Sequence, residues 1–155
     1  MGLEIERKFL VVNDDWRSCV ESEAGLKQGY LTAQKALTIR VRIDGDRAQL
    51  NIKGGTAGIK RSEYEYEIPR QDGEEIIASL VSGSVIDKTR YRVRCGDHLW
   101  DLDVFHGDNE GLVVAEIELE REDEPFELPD WAGEEVSEDP RYYNANLIKH
   151  PYRDW

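Results

Sequence analysis

The chain has 155 residues, of which 39% are hydrophobic and 34% are charged, proportions that are typical of one compact domain. Acidic residues outnumber basic ones by 33 to 20, and the resulting net charge of -13 excludes most proteins that bind nucleic acid or an anionic membrane. The two cysteines and three histidines lack the number and spacing of a disulfide framework or a zinc site.

The sequence also lacks the marks of a membrane or secreted protein. Its longest charge-free apolar stretch, 76–86, is far shorter than the roughly 20 residues that cross a bilayer. Acidic residues near the N-terminus stand where a signal peptide needs an apolar core. We therefore expect one cytoplasmic domain over residues 1–155, with neither a nucleic-acid partner nor a membrane partner.

Eight segments of alternating polarity, separated by Gly, Asp and Asn residues, predict β-strands. In chain order they are 3–12, 26–31, 36–43, 48–53, 62–69, 85–94, 98–105 and 112–121. Eight strands in so small a domain favour closure into a barrel. The predicted fold is therefore α+β and mainly β: a closed eight-stranded antiparallel barrel, or tunnel, with a few flanking helices.

Three further segments predict helices. The first, 14–23, follows Asn13 as an N-cap; the second, 73–82, has Asp72 as its cap and Gly83 just past its end. The third runs over 139–151, with Pro140 at the first helical position, where its missing N–H costs nothing. We expect the first two helices to cover the sheet and the third to close one side of the domain.

Charged and apolar residues alternate in seven of the predicted strands, and alternate residues of a strand share a face. The resulting rows are Glu4, Glu6 and Lys8; Arg40 and Arg42; Asn51 and Lys53; Glu63, Glu65 and Glu67; Lys88, Arg90, Arg92 and Arg94; Asp101 and Asp103; and Glu116, Glu118 and Glu120. A half-buried sheet with one face in water explains any single row. It explains poorly that the rows are nearly single-signed, because like charges on one face repel each other.

Rows of this kind inside a barrel are stable only if the charges are paired, hydrated or bound to ions. Acidic side chains supply the hard oxygen ligands that Mg²⁺ and Mn²⁺ prefer, and basic side chains supply donors for phosphate oxygens. The acidic set is Glu4, Glu6, Asp103, Glu116 and Glu118, and the basic set is Lys8, Arg40, Arg42, Lys53, Lys88 and Arg90. The rows therefore predict a site for a metal ion and phosphate groups.

These residues resemble a known family. Glu4-Ile5-Glu6-Arg7-Lys8 is similar to the ExExK signature of the CYTH superfamily, the triphosphate tunnel metalloenzymes. Further similar motifs follow in order: Arg40-Val41-Arg42, Lys53 ahead of a glycine loop, Glu63-Tyr64-Glu65, Lys88-Thr89-Arg90-Tyr91, Asp101-Leu102-Asp103-Val104-Phe105 and Glu116-Ile117-Glu118. The resemblance spans essentially the whole chain and is closest to short bacterial members.

The resemblance implies a barrel-shaped tunnel whose basic side grips a linear triphosphate and whose acidic side binds a divalent metal. It implies a phosphate clamp of Lys8, Arg40, Arg42, Lys53, Lys88 and Arg90, with Arg92 as a weaker candidate. It implies metal ligands among Glu4, Glu6, Asp103, Glu116 and Glu118, with Glu63, Glu65 and Asp101 orienting them. Glu4 or Glu6 would orient a water molecule or accept its proton. Tyr30 is a second candidate base, although an ordinary tyrosine pKa near 10 equally favours a structural hydroxyl.

The expected function is hydrolysis of inorganic tripolyphosphate to pyrophosphate and phosphate with Mg²⁺ or Mn²⁺. The same resemblance leaves open a class IV adenylate cyclase or a thiamine triphosphatase, each of which needs a pocket for an organic group, and the chain has no obvious insertion to form one. A non-catalytic triphosphate-binding module is a third alternative, but tight anion binding alone would be better served by fewer acidic residues. A homodimer, through the helices or outer apolar patches, also stays open.

Overall fold

Nine antiparallel strands form a single sheet in the computed structural model, which describes residues 5–34, 36–54 and 62–155. Their bounds are β1 Ile5–Val11, β2 Val20–Ala33, β3 Leu37–Asp44, β4 Arg47–Gly54, β5 Ser62–Ile68, β6 Ile86–Cys95, β7 His98–Phe105, β8 Val113–Leu119 and β9 Ala132–Glu135. Across the sheet they lie in the order β5-β4-β3-β2-β6-β7-β8-β1-β9. The eight predicted strands are all present, and the mainly β architecture is confirmed.

The predicted closed eight-stranded barrel is wrong, because the described residues form an open sheet of nine strands. In the described ranges, β5 and β9 stand at the two ends of the strand order. One edge of β1 pairs with β8, and the other edge carries β9, with Phe9 opposite Glu135 and Val11 opposite Ala132. β9 therefore occupies the edge of β1 that closure onto β5 would need. This strand has no counterpart in the sequence prediction, since its residues AGEE show no alternation of polarity.

The predicted helix over 14–23 is wrong beyond its first residues. A short 3-10 helix covers Asp15–Cys19, and β2 begins directly afterwards at Val20. Val20 pairs with Val93 of β6, and Arg94 of β6 binds Glu21 with an Nε to Oε2 distance of 2.8 Å. Pairing with β6 thus overrides the local helical preference of this stretch.

Helix α1, Arg70–Ser79, corresponds to the predicted helix over 73–82 but begins earlier, directly after Pro69. Gly73 faces β4, where an added Cβ would come within 2.8 Å of the Ala48 Cβ. The missing side chain therefore lets α1 pack closely on the sheet. Ile77 of the helix joins a core cluster with Val41, Ile43 and Ala48.

The third predicted helix, 139–151, is divided into short pieces. Helix α2 covers Asn144–Leu147, and 3-10 turns lie over Pro140–Tyr142 and Tyr152–Asp154. Pro140 does occupy the first helical position, but the extended backbone of Tyr143 interrupts the helix. None of the helices in the described ranges is long and apolar enough to cross a membrane.

The two faces of the sheet differ in composition. On the apolar face, a cluster beneath Trp16 and Trp131 contains Phe9, Val93, Trp100, Leu102, Ala115, Ile117 and Leu119. The opposite face, which we call the charged face, carries Lys8, Arg40, Arg42, Lys53, Lys88, Arg90, Asp103 and Glu116. Part of the charged face is apolar, and there Tyr30, Ile86, Phe105 and Val114 form a core cluster with Tyr142, Leu147 and Ile148 of the C-terminal segment. The C-terminal residues thus cover part of the face that carries the candidate site.

Candidate active site

A buried group of charges occupies the middle of the charged face. Asp103 is only 1% exposed, and the Lys88 Nζ donates to its Oδ2 at 2.9 Å. Arg90 donates to the same carboxylate through Nε at 2.8 Å and through Nη2 at 2.9 Å. The Lys88 ammonium also lies 5.3 Å from the centre of the Phe105 ring. Asp103, predicted as a metal ligand, therefore has both oxygens engaged by cations in this structure.

The pKa values of Asp103, Lys88 and Arg90 depend on one another. Burial alone would raise the pKa of Asp103, but the hydrogen bond from Arg90 and the charges of Lys88 and Arg90 outweigh burial and lower it. Burial lowers the pKa of Lys88 despite the opposing charge of Asp103, and the Arg90 charge lowers it further. The Asp103 carboxylate raises the pKa of Arg90 in spite of burial. Asp103 is thus the anion that stabilises one buried cation, Lys88, and one half-buried cation, Arg90.

Arg42 lies beside this group and feels the positive charges of two other guanidinium groups, those of Arg90 and Arg40. Burial lowers the pKa of Arg42, and the positive charges of Arg90 and Arg40 lower it further. The Nε of Arg40 is buried and has no hydrogen-bond partner among the described residues. Cations that repel one another in the free protein would be stabilised by a polyanion placed between them. The structure therefore brings together Arg40, Arg42, Lys88 and Arg90 of the predicted phosphate clamp.

Lys8 and Glu116 connect the basic part of the charged face to the acidic part. They are register partners on β1 and β8, and the Lys8 Nζ lies 3.4 Å from the Glu116 Oε1. The same Nζ donates to the carbonyl oxygen of Tyr142 at 3.1 Å. Asp101 is the register partner of Glu116 on β7 and binds the Nε of Arg92 at 2.8 Å. Lys8 is thus held within reach of both the acidic row and the C-terminal segment.

Glu6 and Glu118 form the outer part of the acidic row, where they are register partners on β1 and β8. Two carboxylates directly opposite each other repel, and a divalent cation shared between them would offset that repulsion. Glu4 lies outside the described residues. Within the described ranges, no three His, Cys, Asp or Glu side chains form a ready cluster for a metal ion. The donors fit Mg²⁺ or Mn²⁺ in type, because all are hard carboxylate oxygens on neighbouring strands.

The remaining candidates lie at the other end of the strand order. The Lys53 Nζ stands 3.9 Å from the Glu63 Oε1, and the Asn51 Nδ2 donates to the Glu65 Oε1 at 3.1 Å. Both carboxylates belong to β5, which neighbours β4, whereas the acidic row of Glu6, Glu116 and Glu118 lies on β1 and β8. The strand order therefore does not place Glu63 and Glu65 beside that acidic row.

Tyr30 lies at the apolar part of the charged face. It is 4% exposed, packs in the cluster that contains Ile86 and Phe105, and accepts a hydrogen bond from the Gln28 Nε2 at 3.2 Å. Two roles were expected for Tyr30, a structural hydroxyl and a proton acceptor, and this packing favours the structural role.

Sequence reasoning missed two buried polar residues on the charged face, Gln28 and Asn51, which are 6% and 2% exposed. The available signal was position: Asn51 stands in one row with Lys53, and Gln28 shares a face with Tyr30, two residues away. Buried amides on a charged face need hydrogen-bond partners, so they mark places where side-chain positions are fixed.

Comparison with known proteins agrees with this geometry. The chain is 46% identical over 155 residues to an inorganic triphosphatase of Acetivibrio thermocellus, covering 100% of this chain and 99% of the relative. It is 38% identical over 150 residues to an inorganic triphosphatase of Nitrosomonas europaea, covering 93% of this chain and 95% of that relative. The crystal structure of the inorganic triphosphatase NE1496 superposes with a TM-score of 0.79 at 36% identity, covering 96% of this chain and 95% of the other.

The family assignment follows from the extent of these matches together with the motifs on the charged face. The CYTH domain model matches residues 2–152, which is nearly the entire chain. The match includes both the acidic rows of β1 and β8 and the basic rows of β3 and β6. The chain belongs to the CYTH family.

Proposed function

We propose that this protein is a divalent-metal-dependent inorganic triphosphatase, which hydrolyses tripolyphosphate to pyrophosphate and phosphate. The observation that carries the proposal is the set of cations on the charged face, where burial and the positive charges of Arg90 and Arg40 lower the pKa of Arg42. A linear polyanion is the ligand that offsets such repulsion. The relatives at 46% and 38% identity support the same activity, since both are inorganic triphosphatases.

The basic residues bind and hold the phosphate chain. Guanidinium groups donate two parallel hydrogen bonds to phosphate oxygens, and the ammonium of Lys88 acts as a point charge. Asp103 fixes Lys88 and Arg90 through hydrogen bonds of 2.8 to 2.9 Å before the substrate arrives. Such fixed donors stabilise the charge that moves onto the leaving pyrophosphate without reorganising during the reaction.

The acidic residues of β1 and β8 would hold the divalent cation. Glu6, Glu116 and Glu118 are the described candidates, and we propose that Glu4, in the same motif as Glu6, completes the set. Mg²⁺ or Mn²⁺ bound there would polarise phosphate oxygens and lower the pKa of a bound water. We propose that the carboxylate of Glu6 orients the attacking water and takes up its proton, for in-line attack on the terminal phosphoryl group.

Replacing Arg42 with Ala is expected to raise the KM for tripolyphosphate by about 10- to 100-fold, which is the usual loss for a hydrogen bond between charged groups. The turnover number should fall much less, because Arg42 mainly binds substrate. Steady-state phosphate release measures both constants. Arg121→Ala is the matched control, since Arg121 is exposed and forms an ion pair with the exposed Asp123. A wild-type KM in Arg42→Ala would contradict the clamp assignment.

Organic triphosphates distinguish this proposal from the other activities considered for the scaffold. Orthophosphate release is measured from tripolyphosphate, thiamine triphosphate and ATP, each with Mg²⁺ and with Mn²⁺, and cyclic AMP is measured in the ATP reactions. We expect the fastest release from tripolyphosphate and no cyclic AMP. Preference for thiamine triphosphate, or formation of cyclic AMP, would contradict the proposal, and binding without turnover would indicate a triphosphate-binding module instead.

A further inference from the structure

Asn51 has a buried hydrogen-bond acceptor that the free protein leaves unused. The residue is 2% exposed on β4, and its Nδ2 donates to the Glu65 Oε1 at 3.1 Å. Its Oδ1 is buried and has no hydrogen-bond partner among the described residues. A buried amide oxygen without a hydrogen-bond partner costs free energy. The unpaired Asn51 Oδ1 therefore suggests that the protein has a second state in which this oxygen accepts a hydrogen bond.

The complementary donor belongs to the residue directly opposite. Arg40 on β3 is the register partner of Asn51, and its Nε is also buried without a partner in the described part of the chain. Directly opposed residues have Cβ atoms about 4.5 to 5.5 Å apart, which is within the reach of an arginine and an asparagine. An unsatisfied donor and an unsatisfied acceptor therefore face each other across two paired strands.

Repulsion between the guanidinium groups of Arg40 and Arg42 offers a reason for the pair to stay open in the free protein. Arg40 lies close enough to Arg42 for its charge to lower the pKa of that residue, so each cation favours a position away from the other. A bound polyanion removes this constraint, because it offsets the repulsion and attracts the terminal nitrogens of Arg40. The Nε–H of Arg40 is then free to turn toward the Asn51 oxygen.

We infer that Asn51 is a positioning residue for Arg40. When the two terminal nitrogens of Arg40 bind the triphosphate, the Asn51 Oδ1 accepts the Nε hydrogen, while the Asn51 Nδ2 keeps its hydrogen bond to Glu65. The amide thus links the clamp on β3 to β5, the strand at the end of the sheet. This inference rests on the proposed function, because the ligand that closes the pair is the phosphate chain.

A double-mutant cycle between Asn51 and Arg40 tests the inference. The dissociation constant for tripolyphosphate is measured by titration calorimetry in EDTA, where we expect no hydrolysis, and KM and kcat are measured separately with Mg²⁺. Asn51→Leu should weaken binding by about 10-fold with a smaller change in kcat, since it removes one hydrogen bond to a charged group. Added to Arg40→Ala, it should change the dissociation constant by less than about twofold, because the shared interaction is already lost.

Gln49→Leu is the matched control, since Gln49 lies two residues away on β4 and its register partner is Arg42. Its effect should multiply with that of Arg40→Ala. If the effects of Asn51→Leu and Arg40→Ala on the dissociation constant also multiply, the positioning role is refuted and Asn51 only packs within the sheet. Thermal unfolding checks each variant, and Asn51→Ala replaces Asn51→Leu in the cycle if the latter does not fold. If the wild-type protein binds tripolyphosphate but does not hydrolyse it, the proposed function is refuted. The double-mutant cycle, which measures binding, still tests the role of Asn51.

Discussion

Asp103→Asn is expected to lower the free energy of unfolding by about 3 kcal/mol, because it leaves the buried Lys88 and the half-buried Arg90 without their anion. Asp103 is 1% exposed and binds Lys88 and Arg90 at 2.8 to 2.9 Å. Asparagine keeps the shape of the side chain, so the loss of stability measures the contribution of the negative charge. Urea unfolding at pH 7 measures the difference, and hydrolysis of tripolyphosphate should fall sharply, since both cations lose their fixed positions.

The pH dependence of this loss has a definite sign. The pKa of Asp103 is lowered in the folded protein, so its contribution to stability is present above the ordinary aspartate pKa near 4 and is lost as the pH falls through the lower folded value. The difference between wild type and Asp103→Asn should therefore shrink in strong acid. Asp123→Asn is the control, because its ion pair with Arg121 is exposed and should contribute less than about 1 kcal/mol. Equal stabilities of the wild type and Asp103→Asn at pH 7 would contradict the assigned role.

Glu6→Gln is expected to lower kcat for tripolyphosphate by about 100-fold or more, which is the usual loss for a general base or for a carboxylate that supports a catalytic metal. Glu6 stands opposite Glu118, and glutamine in its place keeps the shape but neither the charge nor the ability to take up a proton. Binding of tripolyphosphate in EDTA should change by less than about threefold, because the basic residues carry it.

Glu122→Gln is the matched control for this substitution, since Glu122 is exposed and follows the end of β8. It should retain wild-type turnover. Wild-type turnover in Glu6→Gln as well would remove Glu6 from the acidic site, whereas equal losses of binding and turnover would place Glu6 in substrate binding.

The strands could be predicted because alternation is a local signal. Arg90 and Arg92, for example, share the charged face of β6 simply because they are two residues apart. The upstream part of β2 could not be predicted, since 20–25 becomes a strand only by pairing with β6. The open sheet could not be predicted either, because it depends on four residues, Ala132–Glu135, that pair with a distant β1.

The residues of the candidate site could likewise be predicted only in part. Residue type and alternation were enough to choose Lys88, Arg90 and Asp103, since each stands in a row of charged residues that alternates with apolar ones. That Asp103 has both its oxygens engaged by Lys88 and Arg90 depends on register and burial, which the sequence does not show. Asn51 was passed over for a similar reason, because an amide carries no charge and becomes informative only when its burial is known.

The most direct test of the central claim is phosphorus NMR of tripolyphosphate incubated with the purified protein and Mg²⁺ or Mn²⁺, with a parallel sample in EDTA. With metal, we expect the triphosphate signals to be replaced by those of pyrophosphate and phosphate in equal molar amounts, and in EDTA we expect no change. Triphosphate that persists with both metals, or that disappears equally fast in EDTA, would contradict metal-dependent hydrolysis on the charged face.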